Sequence, residues 1–315
     1  MKFKERLLQG TLIKRYKRFF VDIKFKNKNI IAHCPNSGSM MGLLTPNNKV
    51  WFSKSDNPKR KLKYTLEIIE DNKKMIGVNT HSTNKIVYEA LLKKKIKYFK
   101  NFDKIQPEFK FNKNTRFDFY LSSKKKKCFL EIKNVTLSRK KNVSEFPDSI
   151  TARGKKHLNE LINAKKSGFD SYILYLIQRE DCNSFKIADD IDQQYKVAFV
   201  NAIKNGVKVL CFDCKLSNEE IKINQQIKYY NDGISVHNRI NQVIGCVLLI
   251  PIYYSSYYTT IETKYSYYIR FKSVKIKDCI LNHFSHSRFI LEIWLNTNNG
   301  SQHFCTHLAR ICDQI

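Results

Sequence analysis

The first 80 residues alternate between apolar and polar positions in several short stretches. Residues 21–25 alternate, a polar turn at residues 27–29 follows, and residues 30–34 form the next apolar run. Later runs of the same kind cover residues 50–52, 64–69 and 75–78. Short strands with almost no helical period predict a small β-barrel. An OB-like barrel over residues 1–80 is the natural expectation, because this fold commonly presents a strand face to nucleic acid.

Between residues 81 and 232 the pattern changes to helices that alternate with strands. Thr83 and Asn84 can cap a first helix, which has apolar residues at helical spacing. Strands are predicted at residues 105–111, 116–121, 128–137, 171–178, 207–212 and 221–227, with further helices at 153–166 and from Asp192 to Gly206. This order predicts a mixed sheet with helices on its faces, which is an α/β domain.

Residues 233–315 have a different character from the rest of the chain. Tyrosines crowd between Tyr229 and Tyr268, and we find no clear helical or strand repeat and no well-placed helix caps. We expect an atypical tail here, either poorly ordered or a gene-model extension, and no third domain.

The net charge is +29 over 315 residues, which points to polyanionic partners or a membrane surface. The chain is also rich in Lys, Asn, Ile, Tyr and Phe, as AT-rich coding tends to produce, so part of this charge reflects codon usage. The remainder supports binding to nucleic acid, with DNA as the first expectation.

The chain shows no sign of export or membrane insertion. No apolar signal-peptide core follows the first residues. The most apolar run, residues 243–258, is broken by Pro251 and is short for a bilayer span of about 20 residues. Nine scattered cysteines do not form a disulfide framework, and Cys211 and Cys214 are expected to be two reduced thiols. We therefore expect a cytoplasmic protein without a membrane partner.

The clearest chemical pattern lies on two predicted strands joined by a turn at residues 122–127. A turn centred on its middle lysines places Asp118 opposite Glu131 and Arg116 opposite Lys133. Because side chains alternate along a strand, these four side chains would share one face. The other face would be a core face that carries Phe117, Phe119, Leu130 and Ile132.

An acidic pair beside a lysine fits a metal-dependent nuclease. Asp118 and Glu131 are candidate ligands for Mg²⁺, which would activate a water and neutralise charge on phosphoryl oxygens. Lys133 could orient that water or stabilise the transition state. Glu89 is a candidate third catalytic acid, although it lies off the apolar face of its helix and simple solvent exposure is the alternative. The same D…E-x-K pattern is common by chance as a surface salt-bridge cluster, but the surrounding order of helices and strands favours a nuclease.

Seven blocks of sequence, in order along residues 7 to 230, carry a resemblance to a known family. They are residues 12–19, 33–40, 57–61, 78–80, 115–119, 131–137 and, as the longest, 146–158 (Phe-Pro-Asp-Ser-Ile-Thr-Ala-Arg-Gly-Lys-Lys-His-Leu). In these blocks the chain resembles the sugar fermentation stimulation protein family. The resemblance implies an N-terminal OB-like domain, a restriction-endonuclease-like PD-(D/E)xK domain, DNA binding and a regulatory role in sugar (maltose) utilisation. The three signature residues are present, and the chain after about residue 232 departs from the family pattern.

Several basic and polar segments are candidates for binding nucleic acid. Each has an alternative: a charged edge strand around Tyr16, a solvated loop around Arg60, and a plain turn around Asn36. Basic residues at the start of the helix near Arg153 oppose its dipole, which favours a binding role there. The full set is Lys14, Arg15, Tyr16, Lys17, Arg18, Asn36, Arg60, Lys61, Arg153, Lys155 and Lys156.

Two functional hypotheses follow. The first is a Mg²⁺-dependent phosphodiesterase that acts on DNA or RNA. The second is a non-catalytic, DNA-binding regulator of sugar (maltose) metabolism built on a nuclease scaffold.

Overall fold

The computed structural model describes residues 1–230 and, beyond them, four strands between residues 260 and 307. Residues 1–239 form one compact unit and residues 240–315 form a second.

The N-terminal part of the first unit is a closed five-stranded barrel with a sixth strand at one edge. The strands are β1 (Leu8–Tyr16), β2 (Phe20–Phe25), β3 (Lys28–His33), β4 (Lys49–Lys54), β5 (Tyr64–Asp71) and β6 (Lys74–Gly77). They are ordered β3-β2-β1-β4-β5-β6, and a parallel pairing of β3 with β5 closes the barrel. The predicted OB-like barrel is confirmed. β1 lies between β2 and β4, but β4 pairs only with residues 8–11, so the half of β1 around Tyr16 pairs with β2 alone, as the edge-strand alternative expects.

The barrel closes because alternate residues of its strands point into one core. Leu12, Val21, Ile23, Phe52 and Leu66 are completely buried there. The alternating polar residues face outward and keep the surface solvated.

An α/β domain follows the barrel after a short 3₁₀ helix at Thr80–Ser82. Its main sheet has the order β15-β14-β12-β9-β8-β7, in which β9, β12 and β14 are parallel and the remaining pairings are antiparallel. A smaller sheet has the order β10-β11-β13-β16. The elements are α1 (Thr83–Leu92), β7 (Lys104–Asn112), β8 (Thr115–Ser122), β9 (Lys127–Val135), β10 (Leu137–Lys140), β11 (Asn142–Phe146), α2 (Ala152–Lys166), β12 (Asp170–Ile177), β13 (Cys182–Ile187), α3 (Gln193–Lys204), β14 (Lys208–Leu216), β15 (Ile221–Gln226) and β16 (Lys228–Tyr229).

Both faces of the main sheet are buried, which corrects the predicted single core face. Phe119, Leu130 and Ile132 pack with helix α1 in one cluster. Phe117 lies in the opposite cluster, with Phe129 and the apolar residues of α2 and α3. The side chains of Phe117 and Phe119, two residues apart on β8, therefore point to opposite faces of the sheet. The regular alternation of side chains along β8 is broken at Asp118, which lies between them.

A buried arginine fastens the barrel to the α/β domain. The guanidinium of Arg179 donates to Asp71 at the end of β5 (3.0 Å) and to Asp181 (2.6 Å). It also donates to the carbonyl oxygen of Thr136 (2.9 Å). Next to it, the amide of Gly77 donates to the carbonyl oxygen of Gln178 (2.9 Å). These contacts hold β6, and hence the start of α1, against the sheet.

The second unit contains an antiparallel meander, β17 (Thr260–Glu262), β18 (Tyr267–Lys272), β19 (Ile290–Thr297) and β20 (Gly300–His307). The sequence pattern did not predict these strands. The expectation for the rest of residues 233–315 lies outside the described residues.

The structure also bears on the expectations about the cysteines and about membrane spans. Cys211 and Cys214 are buried free thiols on β14, as the sequence favours. Among the residues described, no helix combines the length and apolar character that crossing a bilayer requires.

Candidate nuclease site

The two signature carboxylates meet where the β8–β9 hairpin opens. The last ladder pair is Phe119 with Leu130, and the same register places Asp118 opposite Glu131, as predicted. Instead of continuing the ladder, a carboxylate oxygen of Asp118 (Oδ2) accepts a hydrogen bond from the backbone amide of Ile132 at 2.7 Å. The ladder with β9 ends before Arg116, so the predicted position of Arg116 opposite Lys133 is not formed as a ladder pair. On the other side of β8, Arg116 pairs with Lys110 of β7.

Asp118 is held by a side chain from helix α1. The amide of Asn84 donates to Asp118 Oδ1 at 2.8 Å. Burial, followed by the negative charge of Glu131, raises the pKa of Asp118 to about 7. Asn84 was predicted as a possible helix cap, but α1 starts at Thr83 after Ser82, and the Asn84 side chain serves Asp118.

Glu131 is almost completely buried and two basic groups contact the same oxygen. Lys133 Nζ lies 2.7 Å from Glu131 Oε1, and the imidazole Nδ1 of His157 on α2 also contacts Oε1. The two basic groups are 3.3 Å apart. Burial alone would raise the pKa of Glu131, but the charge of Lys133 and the contact with His157 lower it below its usual value. Glu131 is therefore ionised while Asp118 titrates near neutrality.

The arrangement leaves one carboxylate oxygen free for a cation. Glu131 Oε2 is buried and has no hydrogen-bond partner within residues 1–230. Since a buried carboxylate oxygen without a donor is costly, this atom fits a hard divalent cation as a ligand. The raised pKa of Asp118 fits the same interpretation, because a nearby cation would stabilise its anion. Within the described part of the chain, no group of three or more His, Cys, Asp or Glu side chains is placed to hold a metal. The side chains thus supply two ligands at most.

The proposed third acid, Glu89, lies elsewhere. Its carboxylate pairs with Lys93 one turn along α1 and with the amino group of Met1 (2.7 Å). The contact with Lys93 is the main reason that the pKa of Glu89 falls to about 2. Because both partners lie outside the carboxylate site, Glu89 forms surface ion pairs on α1. This corrects its assignment as a catalytic candidate.

The N-terminus of α1 is anchored to the sheet through Thr83 by Gln178 and Asn134, two residues that carry no sequence signal for this role. Gln178 Nε2 donates to Asn134 Oδ1 (2.5 Å) and to Thr83 Oγ1 (3.3 Å), and Thr83 in turn donates to Asn134 (3.3 Å). Amide side chains at strand ends give no distinctive sequence pattern. Their role appears only when α1, β9 and β12 come together.

A basic cleft opens beside the carboxylates. It has a volume of about 450 Å³ and reaches His157, which contacts Glu131. We call it the basic cleft; its charged lining is Lys110, Lys113, Arg116, Arg153 and Lys156. The structure thus brings two predicted binding residues, Arg153 and Lys156, to the site, together with three that were not predicted to bind.

Three other predicted binding residues have partners within the fold. Lys155 donates to Gln194 (2.7 Å) and does not line the cleft. Arg15 donates to four backbone carbonyls, including that of Asn36 (2.7 Å), and so stabilises the loop at residues 36–39. Asn36 is buried, donates to the carbonyl of Val78 (3.1 Å) and accepts from the amide of Gly38 (2.8 Å). For Asn36 the turn alternative accounts for the residue.

The remaining candidates belong to the strands and loops of the barrel. Tyr16 stacks on Phe20 with Lys14 Nζ 5.7 Å from its ring centre. Arg60 donates to Thr65 (2.7 Å). Lys17, Arg18 and Lys61 are exposed.

A closed OB barrel followed by a restriction-endonuclease-like sheet with Asp118, Glu131 and Lys133 at the hairpin opening defines a two-domain protein with a nuclease fold. Two family models match it in that order: the SfsA N-terminal OB domain over residues 13–78 and the sugar fermentation stimulation protein RE domain over residues 81–220. The chain belongs to the sugar fermentation stimulation protein family, as its sequence blocks suggested.

Individual relatives agree with this assignment. A sugar fermentation stimulation protein homolog of Pelagibacter ubique (strain HTCC1062) is 51% identical over 231 residues, which is 73% of this chain and 100% of that protein. The homolog of Ruegeria sp. (strain TM1040) is 43% identical over 226 residues, 71% of this chain and 97% of that protein. The structure of Pyrococcus furiosus SfsA matches with a TM-score of 0.67 and 21% identity, covering 73% of this chain and 98% of that one. The last comparison supports the fold.

Proposed function

We propose that this protein is a metal-dependent phosphodiesterase that acts on nucleic acid, with DNA as the first candidate substrate. The observation that carries the proposal is the meeting of Asp118, Glu131 and Lys133 beside the basic cleft. Family membership alone names a phenotype, so the reaction is inferred from the site.

The chemistry of the donor set supports a divalent cation, with Mg²⁺ as the candidate. Asp118 and Glu131 would hold it, and the free Glu131 Oε2 would be one of its oxygen ligands. When bound, such an ion lowers the pKa of a coordinated water and neutralises charge on phosphoryl oxygens. The related Pyrococcus furiosus SfsA was solved in complex with Ca²⁺, another cation that prefers oxygen ligands.

The protein's own groups would orient the reaction. Lys133 and His157 both contact Glu131 Oε1, so they fix the carboxylate and leave Oε2 for the cation. The Lys133 ammonium is then close enough to orient the attacking water or to stabilise the developing negative charge. The basic cleft would hold the phosphates of the substrate strand next to these groups.

The test is a cleavage assay with the full chain. Labelled single- and double-stranded DNA and RNA are incubated with Mg²⁺ or with EDTA, beside Asp118→Asn and the exposed control Asp189→Asn. We expect Mg²⁺-dependent products from the wild type and from Asp189→Asn, and none from Asp118→Asn. Equal cleavage by the Asp118 variant would place the activity elsewhere or in a contaminant.

One observation favours the second hypothesis, a DNA-binding regulator of sugar (maltose) metabolism without turnover. Both oxygens of Asp118 already accept hydrogen bonds, from Asn84 and from the Ile132 amide, so this carboxylate is less available to a metal. This hypothesis predicts nucleic-acid affinity that falls steeply with salt, survives Asp118→Asn and is accompanied by no metal-dependent product.

A further inference from the structure

Three aromatic rings form a row on the barrel side of the molecule. Phe19 lies in the turn between β1 and β2, His33 ends β3, and His81 lies in the 3₁₀ helix before α1. The rings of Phe19 and His33 stack with centres 6.4 Å apart and planes 29° apart. The rings of His33 and His81 are also 6.4 Å apart, tilted by 46°. We call these three residues the ring row.

The backbone holds the first ring out in solvent. Lys17 and Arg18 adopt left-handed conformations (φ 46° and 61°), which L side chains rarely adopt, and these form the tight turn that precedes Phe19. The carbonyl of Phe19 accepts from the amide of Cys34 (2.8 Å), so the turn is fixed to β3. As a result 43% of Phe19 is exposed. A single exposed apolar residue needs no explanation, but Phe19 is an exposed ring fixed against a second ring, which itself lies next to a third.

The charges around the ring row suit a polyanion that carries flat groups. Lys17 and Arg18 precede Phe19 directly and are exposed. Partial burial, together with the charges of Arg60 and His81, lowers the pKa of His33, so its imidazole is neutral at neutral pH. A neutral ring stacks on a base without the cost of desolvating a charge.

The ring row leads to the carboxylates and on to the basic cleft. His81 lies three residues before Asn84, so the Cα atoms of His81 and Asn84 are within about 11 Å of each other. Asn84 in turn donates to Asp118. Asp118 and Glu131 face each other across the hairpin opening, and His157 joins Glu131 to the basic cleft. His81 is thus linked to the basic cleft through Asn84, the two carboxylates and His157.

We propose that the ring row stacks the bases of a single-stranded nucleic acid whose backbone continues over Asp118 and Glu131 into the basic cleft. Single strands expose the faces of their bases, whereas a duplex stacks them on one another and hides them from protein rings. The inference names the substrate class of the proposed function and rests on it for cleavage. The binding part stands on the ring row alone.

The experiment measures affinity by fluorescence anisotropy with the full chain. It uses an oligonucleotide of about 16 nucleotides, the upper end of OB-fold site sizes. Three labelled probes are compared at one salt concentration: the single strand, its duplex, and the same strand with abasic positions throughout, which keeps every phosphate. Phe19→Leu keeps apolar volume but removes the flat ring, and Phe19→Tyr keeps the ring. Tyr98→Ala removes a partly exposed ring elsewhere, which serves as the matched control.

We expect the single strand to bind at least about tenfold more tightly than the abasic strand, as stacking of one or two bases gives. It should also bind more tightly than the duplex. Phe19→Leu should remove most of that difference, while Phe19→Tyr and Tyr98→Ala should keep it. Thermal unfolding of each variant establishes that it is folded. Equal affinity for base-bearing and abasic strands, or tighter binding of the duplex, would overturn the inference.

The two proposals fail separately. If Asp118→Asn retains the preference for base-bearing single strands while no protein cleaves any probe, the proposed function is wrong and the ring row still binds bases. If Mg²⁺-dependent cleavage occurs equally on both strand forms and Phe19→Leu changes nothing, the inference about the ring row is wrong and the proposed function stands.

Discussion

Asn84 at the start of helix α1 donates a hydrogen bond of 2.8 Å to Asp118 on strand β8. The bond joins the segment that leaves the barrel to the carboxylate at the hairpin opening. Asp118 Oδ2 is engaged by the Ile132 amide, so Asn84 fixes the second oxygen and sets the orientation of the carboxylate. A residue of this kind acts through its neighbour and positions it.

Asn84→Ala should weaken the response to metal more than the binding of nucleic acid. Loss of a hydrogen-bond partner behind a metal ligand typically costs about 10–100-fold in metal affinity or activity. We therefore expect the Mg²⁺ concentration for half-maximal cleavage to rise by at least about tenfold. Affinity for a labelled strand in EDTA should be unchanged. Asn201→Ala, on the surface of α3, is the control, and the idea fails if both variants have the same Mg²⁺ dependence.

Lys133→Met should remove most of the cleavage rate while binding is retained. The ammonium contacts Glu131 Oε1 at 2.7 Å, and loss of one group that stabilises developing charge costs about 10²–10³-fold in rate. Single-turnover rates at saturating Mg²⁺ separate this effect from binding. Unchanged single-turnover rates would assign Lys133 a structural role beside Glu131.

The hairpin of the candidate site could be predicted because its information is local. The turn at residues 122–127 and the alternation of side chains are enough to place Asp118 opposite Glu131. The end of the ladder at Phe119 could not be predicted, since it depends on an Asp118 side chain taking the backbone amide of Ile132. Beyond that point the ladder does not pair Arg116 with β9, and Arg116 lines the basic cleft.

Residues supplied by distant elements were beyond sequence reasoning. His157 contacts Glu131 only because α2 packs beside β9, and Asn84 reaches Asp118 only because α1 is anchored to the sheet. Arg15 shows the opposite error: its basic side chain suggested phosphate binding, but its donors stabilise a loop. Residue type alone does not distinguish a basic side chain that is exposed to solvent from one that donates to backbone carbonyls.

Neutralising the basic cleft should flatten the salt dependence of binding. Each lysine or arginine that contacts a phosphate contributes about 0.7–0.9 to the slope of log affinity against log salt. Lys113→Ala and Arg116→Ala should each reduce the slope by about that amount. Lys204→Ala, an exposed lysine at the end of α3, should leave the slope unchanged. Anisotropy titrations over a range of salt concentrations measure it, and equal slopes for all three variants would remove the cleft from the binding surface.

Replacing Glu67 should stabilise the protein at neutral pH and not in acid. Glu67 is buried and accepts from Ser53 and Asn79 (both 2.7 Å). Burial raises its pKa above the ordinary value of 4.5, although those two hydrogen bonds and the charges of Lys85 and Arg60 act in the other direction. As pH rises above 4.5 the unfolded chain loses this proton first, so the wild type loses stability until pH passes the raised folded-state pKa.

Glu67→Gln removes that titration and can still accept from Asn79 and donate to Ser53. Its Tm should exceed the wild-type value by a few degrees at pH 7 to 8 and approach it near pH 4. The exposed Glu5→Gln is the control and should follow the wild type at every pH. A constant difference between Glu67→Gln and wild type across this range would contradict the assignment.

Arg179 should account for a large part of the stability of the first unit. Its side chain is 3% exposed and contacts Asp71 and Asp181, which would be left without their shared partner in Arg179→Met. Breaking a fully buried ion pair from one side costs about 3–5 kcal/mol. The side chains of Asp71 and Asp181 are 21% and 26% exposed, so solvent compensates part of their charge and we expect a loss of about 2–3 kcal/mol. Urea unfolding, followed through far-UV circular dichroism and the fluorescence of the two tryptophans, Trp51 and Trp294, should show this loss in the free energy of unfolding. Arg6→Met, which removes an exposed arginine 3.8 Å from Glu219, should change the free energy of unfolding far less.

Combining Arg179→Met with Asp71→Asn should destabilise the protein by less than the sum of the two single variants, because the shared contact is lost only once. Additive effects would show that Arg179 and Asp71 do not interact, and that the barrel is fastened to the α/β domain by other contacts.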